Sequence, residues 1–421
     1  MVLRCDRGRS AGVTGRTAFR LLWAGQTASV FGTAVSALAI PTIAIAALKA
    51  SPFEVGLLGA MQFAAFPILG LAAGVWVDRW SRRATMLVAD VIRALVLATI
   101  PVAAALHALG YAQLVAVATC VGIASVFFDV AYQSLVPSLV EHDRLESANA
   151  RLEFTNSAAQ IAGNGLAGGL IALVGAGLAV VVDAASYVVS VVALATIRAR
   201  EVHRDEATGQ VPFGRAMREG LGVVFGSPVL VRIMGATATS NFSGSMVMAV
   251  YLLYAYRVLH LSPAVVGIVF AAGNVGFLGA LLAPRIARRF GPGRTMATCL
   301  AIPMLAGFAL PLAQIAQPVA VLLAVEITIT VFVPIYNITQ VSLRQRLVPA
   351  AQLGRVNATM KTLVWGTIPL GMLTGGALGN AIGIVPTIVV GVVAGTLAIP
   401  WLLGAPIRTL PRAGGRRATR P

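Results

Sequence analysis

Charge is scarce in this chain. Asp, Glu, Lys and Arg together make up 11% of its 421 residues, and 58% are apolar. A soluble domain carries about 25% charged residues, so a mean hydropathy of +0.85 excludes that class. Lysine is nearly absent: Lys49 and Lys361 are the two present. Neither follows a glycine, so the phosphate-binding Gly-Lys-Ser/Thr loop is missing, which excludes an ATP-driven pump on this chain alone. The three cysteines, Cys5, Cys120 and Cys299, are too few and too widely spaced for a disulfide framework or a metal site. The four histidines are scattered, and without His-Glu-x-x-His a membrane metalloprotease is excluded too. The net charge of +17 does not point to nucleic acid, because the basic residues sit in short clusters between apolar runs.

What fills the chain instead is a succession of apolar stretches. Each is near the 20 or so residues a helix needs to cross about 30 Å of hydrocarbon. Backbone polar groups in lipid must be satisfied internally, which leaves helices or a closed barrel. A barrel would alternate in polarity over segments of about 10 residues; these runs are continuous in Ala, Val, Leu and Gly. Twelve helices are expected, at 18–47, 53–77, 84–107, 111–137, 150–174, 176–198, 229–256, 262–288, 294–315, 318–344, 354–382 and 384–405. Pro41, Pro67, Pro334 and Pro369 fall inside them and predict kinks.

The connections predict an orientation. Even-numbered ones carry Arg79, Arg82 and Arg83; Arg144 and Arg151; Arg198, Arg200 and Arg204; Arg285, Arg288, Arg289 and Arg294; Arg344, Arg346 and Arg355. Odd-numbered ones carry Lys49 and Arg257. Positive residues stay on the cytoplasmic side, so both termini are expected there. Arg4, Arg7, Arg9, Arg16 and Arg20 resemble the start of a signal peptide, but the apolar run that follows is too long and lacks a cleavage site. The expected organisation is a cytoplasmic tail at 1–17, a six-helix bundle at 18–198, a polar linker at 199–228, a second bundle at 229–405 and a basic tail at 406–421. In the linker, Phe213, Met217, Leu221 and Val224 share one face of an amphipathic helix.

The halves repeat. "SLVPSLVEHDRLESANA" from Ser134 and "SLRQRLVPAAQLGRVNA" from Ser342 align at an offset of 208. Ser134, Leu135, Leu139, Val140, Leu145, Asn149 and Ala150 recur as Ser342, Leu343, Leu347, Val348, Leu353, Asn357 and Ala358. The same offset pairs Gly163 with Gly371 and Gly168 with Gly376. Parallel repeats of this kind build transporters with a substrate site between the halves.

"GVWVDRWSRR" at 74–83 resembles the loop 2–3 motif of the major facilitator superfamily, Gly-x-x-x-Asp-Arg-x-Gly-Arg-Arg. Gly74, Asp78, Arg79, Arg82 and Arg83 match it, and Ser81 stands where glycine is usual. "AGNGLAGG" at 162–169 is similar to the fifth-helix motif of its antiporters, with Asn164 in place of proline. "FFDVAYQSLVPSLV", "VDAASYVVS", "SLRQRLVP" and "GRVNATMKTLVWGTIPLGMLTGG" resemble the branch holding macrolide-efflux proteins and the enterobactin exporter. The resemblance implies an all-α membrane protein whose twelve transmembrane helices form two pseudo-symmetric six-helix bundles. It implies a cytoplasmic gate in which Asp78 faces the N-terminus of the eleventh helix and Arg82 reaches Asp129. Asp90 and Arg93, three apart on one helix face, are read as support for that gate.

Ionisable groups inside a span are functional candidates. Glu326 lies eight residues into the tenth span, roughly 12 Å deep, with no neighbour in sequence to neutralise it. It is expected to couple protons or contact substrate, or else to make a structural hydrogen bond. Asp183, in the sixth span, is a candidate for the same role or for a structural bond with Ser186. Gln26, Ser29, Asn241, Ser245, Asn274, Tyr336 and Asn337 are candidate cavity residues, each with a helix–helix hydrogen bond as the alternative. Gly163, Gly165, Gly168, Gly169, Pro369, Gly371, Gly375 and Gly376 form a candidate packing hinge.

Two deep acids favour neutral or cationic amphipathic substrates over anions. The leading expectation is therefore a secondary active exporter in a bacterial inner or plasma membrane. It would be driven by the proton gradient without a cofactor, and a monomer would suffice. An importer and a non-transporting sensor or assembly partner are the alternatives.

Overall fold

A computed structural model describes residues 15–140, 145–197 and 213–404. The expected tails and most of the linker therefore lie outside the described residues. Within them every regular element is a helix. The first half holds α1 (Gly15–Thr42), α2 (Pro52–Arg79), α3 (Arg82–Ala105), α4 (Tyr111–Leu139), α5 (Leu145–Val174) and α6 (Ala176–Thr196). After α7 (Phe213–Phe225), the second half holds α8 (Pro228–Leu253), α9 (Pro263–Asn274) with α10 (Ala283–Phe290), α11 (Pro292–Gly307), α12 (Pro318–Leu347), α13 (Ala350–Ile382), and α14 (Ile384–Thr396) with α15 (Ala398–Leu403).

Helix starts follow from side chains that accept the first free N–H groups. Ser51 and Glu54 form a reciprocal capping box at α2. Ser227 and Ser262 cap α8 and α9, each followed by a proline in the first turn. Ser81 caps α3 by accepting from the Ala84 N–H at 3.2 Å. Serine in place of the usual glycine of the 74–83 motif thus has a local reason.

Among the described residues ten helices are long and apolar enough to span a membrane, or eleven if α7 and α8, bent by 101°, count as one span. The remaining segment, α13, is rich in glycine and threonine and lies against α2 and α8, where close packing matters more than apolar bulk. The linker helix α7 docks rather than floating free: Val224 is fully buried in the second-half core, and Glu219 pairs with Arg355 at the start of α13.

The eighth span is not one smooth helix. Between α9 and α10, Val275–Leu282 winds as a 3₁₀ helix. Three residues per turn put Gly273, Gly276 and Gly279 on one face, and that face meets α12. A Cβ at Gly276 would stand 3.0 Å from the Ile327 carbonyl oxygen, and one at Gly279 3.0 Å from Val331.

The repeat recurs in the packing. Gly163 of α5 meets Ala34 of α1, as Gly371 of α13 meets Phe242 and Ser245 of α8, all within a half. Gly168 of α5 meets Pro263 and Gly267 of α9, as Gly376 of α13 meets Pro52, Phe53 and Gly56 of α2, now between halves. The halves therefore join along α5–α9 and α2–α13. They are tied at the face that carries few arginines. Arg257 donates to the carbonyls of Ile45 at 3.2 Å and Ala50 at 2.8 Å. Thr42 and Tyr256 share a 2.9 Å hydrogen bond, and the Phe53 N–H donates to Asn380 at 3.2 Å.

These seams predict opposite responses to one added methyl group. At Gly376 a Cβ would stand 2.8 Å from the Pro52 carbonyl oxygen and 3.0 Å from the Phe53 Cα, whereas Gly169 has nothing within 4 Å. Gly376→Ala should lose about 1–3 kcal/mol to overpacking. Gly169→Ala should be neutral or stabilising by up to about 1 kcal/mol through helix propensity. Thermal melts in detergent check the order; equal shifts would contradict the packing assignment.

Candidate functional site

Each half encloses a cavity with one acid in its wall. In the first half a cavity of about 280 Å³ lies among α1, α2, α4 and α6, bounded by Met248, Ala249 and Leu252 of α8 and Met372 of α13. Its polar lining is Thr33, Ser36, Gln62, Ser125, Asp183 and Tyr187. In the second half a cavity of about 340 Å³ lies among α8, α11, α12 and α14, with Ser240, Ser243, Tyr251 and Glu326 as its polar lining. Met248 lines both, so the two spaces adjoin at α8.

Both acids rest on a glycine. A Cβ at Gly32 of α1 would stand 2.8 Å from the Asp183 carboxylate, and one at Gly273 of α9 2.8 Å from the Cβ of Glu326. The Thr330 hydroxyl donates to the Gly273 carbonyl at 2.6 Å, locking α12 to α9 one turn from Glu326. Asp183 has a local partner: the Ser186 hydroxyl donates to its backbone carbonyl at 2.7 Å and approaches its carboxylate at 3.4 Å. Glu326 has Tyr251 within its field, and no cation faces it among the described residues.

The neutral candidates separate by contact. Asn241 donates across to the Val364 carbonyl of α13 at 3.3 Å, and Tyr336 shares a 2.7 Å hydrogen bond with Thr237 of α8. Both are therefore engaged in helix–helix bonding. Ser29, Ser245 and Asn274 are buried in packing, Ser245 against Gly371. Asn337 is exposed. The side-chain oxygen of Gln26 is buried without a hydrogen-bond partner among the described residues.

The charges expected at a gate spread over two places. Arg82 donates to the Ser134 carbonyl of α4 at 3.1 Å, and Arg83 donates to the Leu194 and Ala195 carbonyls of α6 at 2.7 and 2.6 Å. Arg83 thus binds carbonyls of the last turn of α6, where a cation is favoured. Gly74 has open space where a side chain would stand. The Asp78 and Arg79 side chains lie outside the described residues. Asp90 and Arg93 sit inside the first bundle rather than between halves: they pair at 3.6 Å, with 0% and 5% of each residue exposed. The Arg93 guanidinium lies 4.3 Å from the Phe128 ring and 4.9 Å from Tyr187. Asp129 lies within the field of Arg93 and Lys361.

Sequence reasoning missed the group around Lys361. Its ammonium lies 4.7 Å from the Trp365 ring and 5.6 Å from Phe66. Lysine four residues before tryptophan on one helix was the available signal; Phe66, on α2, had none. Tyr251 and the two acid-facing glycines were also missed.

Known proteins bear on this arrangement. A family model described as Major Facilitator Superfamily matches residues 22–372. The multidrug efflux pump Tap of Mycolicibacterium fortuitum is 28% identical over 403 residues, 91% of this chain and 92% of that protein. Among solved structures, a bacterial homologue of the iron transporter ferroportin in an inward-facing state aligns with a TM-score of 0.73 at 16% identity, over 92% of this chain and 99% of that one. The nucleoside transporter NupG aligns with a TM-score of 0.74 at 11% identity, over 91% and 98%. The chain belongs to the Major Facilitator Superfamily and is a multi-pass membrane transporter, not an enzyme.

The buried pair generates a stability prediction. Arg93→Gln leaves Asp90 buried without its cation, which should lower stability by about 3–5 kcal/mol. The double variant Asp90→Asn/Arg93→Gln should recover most of that loss. Melting of the purified protein in detergent measures both, and equal losses in the single and double variants would contradict a charge-based role.

Proposed function

We propose, from membership of the superfamily, that this chain is a proton-coupled exporter of amphipathic neutral or cationic small molecules. It would work by alternating access in a bacterial plasma membrane, as a monomer, with the proton gradient as its energy source. The carrying observation is Glu326: a carboxylate roughly 12 Å into α12, in a cavity wall, facing no cation among the described residues. The name of the Tap relatives supports efflux.

The mechanism follows from competition. An uncompensated carboxylate in a span is costly, so it binds either a proton or the cationic end of a substrate. If both ligands cannot be held at once, each weakens the other by the same factor, which is the linkage antiport requires. With both termini cytoplasmic, the arginine-poor face is external. The ties from Arg257, Tyr256 and Asn380 then close the outside in this state. Substrate would enter from the cytoplasm, displace the proton and leave after the halves rock. The α5–α9 and α2–α13 seams would serve as the rocking surfaces, through Gly163, Gly165, Gly168, Gly169, Pro369, Gly371, Gly375 and Gly376. At the opposite face, Gly74, Asp78, Arg79, Arg82 and Arg83, with Asp129, would re-form the cytoplasmic closure.

Energised everted vesicles loaded with a pH dye test the reading. Adding cationic and neutral amphipathic compounds should release protons from wild type. Glu326→Gln should reduce that release at least about tenfold, equivalent to about 1.4 kcal/mol. Full release in Glu326→Gln would remove coupling from α12. Absence of release with every compound, combined with uptake in right-side-out vesicles, would establish an importer instead.

A further inference from the structure

Lys361 is one of two lysines in the chain and lies within α13. Its position is unusual for an ammonium. It is exposed, yet its charge rests over two aromatic faces, Trp365 at 4.7 Å and Phe66 at 5.6 Å. The two rings are 5.1 Å apart at 55° to each other. Phe66 belongs to α2 and Trp365 to α13, so the pair straddles the seam between the halves. Phe66 also lines the cavity that holds Asp183. The carboxylate whose field Lys361 shares is Asp129 of α4.

Aromatic faces attract cations through the ring quadrupole, and the attraction grows where water is displaced. Two tilted rings, one of them in a cavity wall, suit a hydrophobic cation. Lys361 already presents a cation to them from the same helix.

We propose that the Phe66–Trp365 pair is a recognition site for the cationic end of a substrate, and that Lys361 is its resident occupant, displaced towards Asp129 when substrate binds. This rests on the cationic-amphipath reading above. Lys361 is then a specificity device. It raises the threshold for entry, because a cation must outcompete an internal rival and its repulsion, while a neutral molecule meets neither. Because the rings come from both halves, occupancy also bears on the seam that must shift in transport.

Equilibrium binding to the purified full-length protein in detergent tests this without any gradient, so its outcome is independent of transport direction. The probes are radiolabelled tetraphenylphosphonium and the uncharged triphenylphosphine oxide. Lys361→Met should tighten tetraphenylphosphonium binding by about three- to tenfold. Lys361→Arg should leave it near wild type, and the neutral probe should change little in either variant. Trp365→Ala should weaken the cation at least about fivefold. Trp365→Phe should weaken it less, which separates loss of a ring from loss of fold. Unchanged or weaker cation binding in Lys361→Met would overturn the proposal. So would unchanged binding in Trp365→Ala, or no tetraphenylphosphonium binding to any variant. In each of these cases proton release in vesicles still decides whether the protein is an exporter.

Discussion

A carboxylate buried in an apolar helix bundle must be neutral, paired or lent space by a cavity, and this chain uses the last two arrangements. Asp90 is paired, with Arg93 beside it and aromatic rings covering the guanidinium. Asp183 sits in a cavity wall with a serine at hand. Glu326 sits in a cavity wall and faces no cation among the described residues. Each cavity acid has its room from a glycine on a facing helix, Gly32 or Gly273, because any side chain there would overlap it. The expense of an unpaired charge at this depth is what makes Glu326 responsive to a proton or to a cationic ligand.

The same helices connect that acid to the seams between halves. α9 touches α5 through Gly267 and Gly168, and it touches Glu326 through Gly273 less than two turns later. Its 3₁₀ stretch begins directly after, and such stretches accommodate changes of register more readily than a regular α-helix. A shift at Glu326 and a shift at the α5–α9 seam are therefore mechanically adjacent. α13 plays the matching part, with Gly376 on the α2 seam and Lys361 beneath the ring pair that crosses it.

Much of this was legible in the chain. Hydropathy placed most of the spans, ten or eleven of the expected twelve among the described residues, because water and lipid sort residues by length and polarity. The offset of 208 paired Gly163 with Gly371 and Gly168 with Gly376, and each pair makes equivalent contacts in the fold. Glu326 stood out because charge at depth is rare. What stayed hidden was what depends on partners distant in sequence. Arg257 read as a topology signal, whereas it clamps the carbonyls of Ile45 and Ala50, just beyond α1. Asn241 and Tyr336 read as lining candidates, but residue type does not separate a cavity wall from a helix–helix bond. The glycines at 273, 276 and 279, three apart, suit one face of an α-helix as well as of a 3₁₀ helix, so their spacing did not reveal the winding.

The most direct test of the account is proton release on ligand binding, measured with a pH indicator in weakly buffered detergent solution and without a membrane. Tetraphenylphosphonium added to wild type should release protons, while Glu326→Gln should bind the cation without releasing any. Equal release from both proteins, or binding to wild type with no release, would contradict the claim that Glu326 exchanges a proton for a substrate.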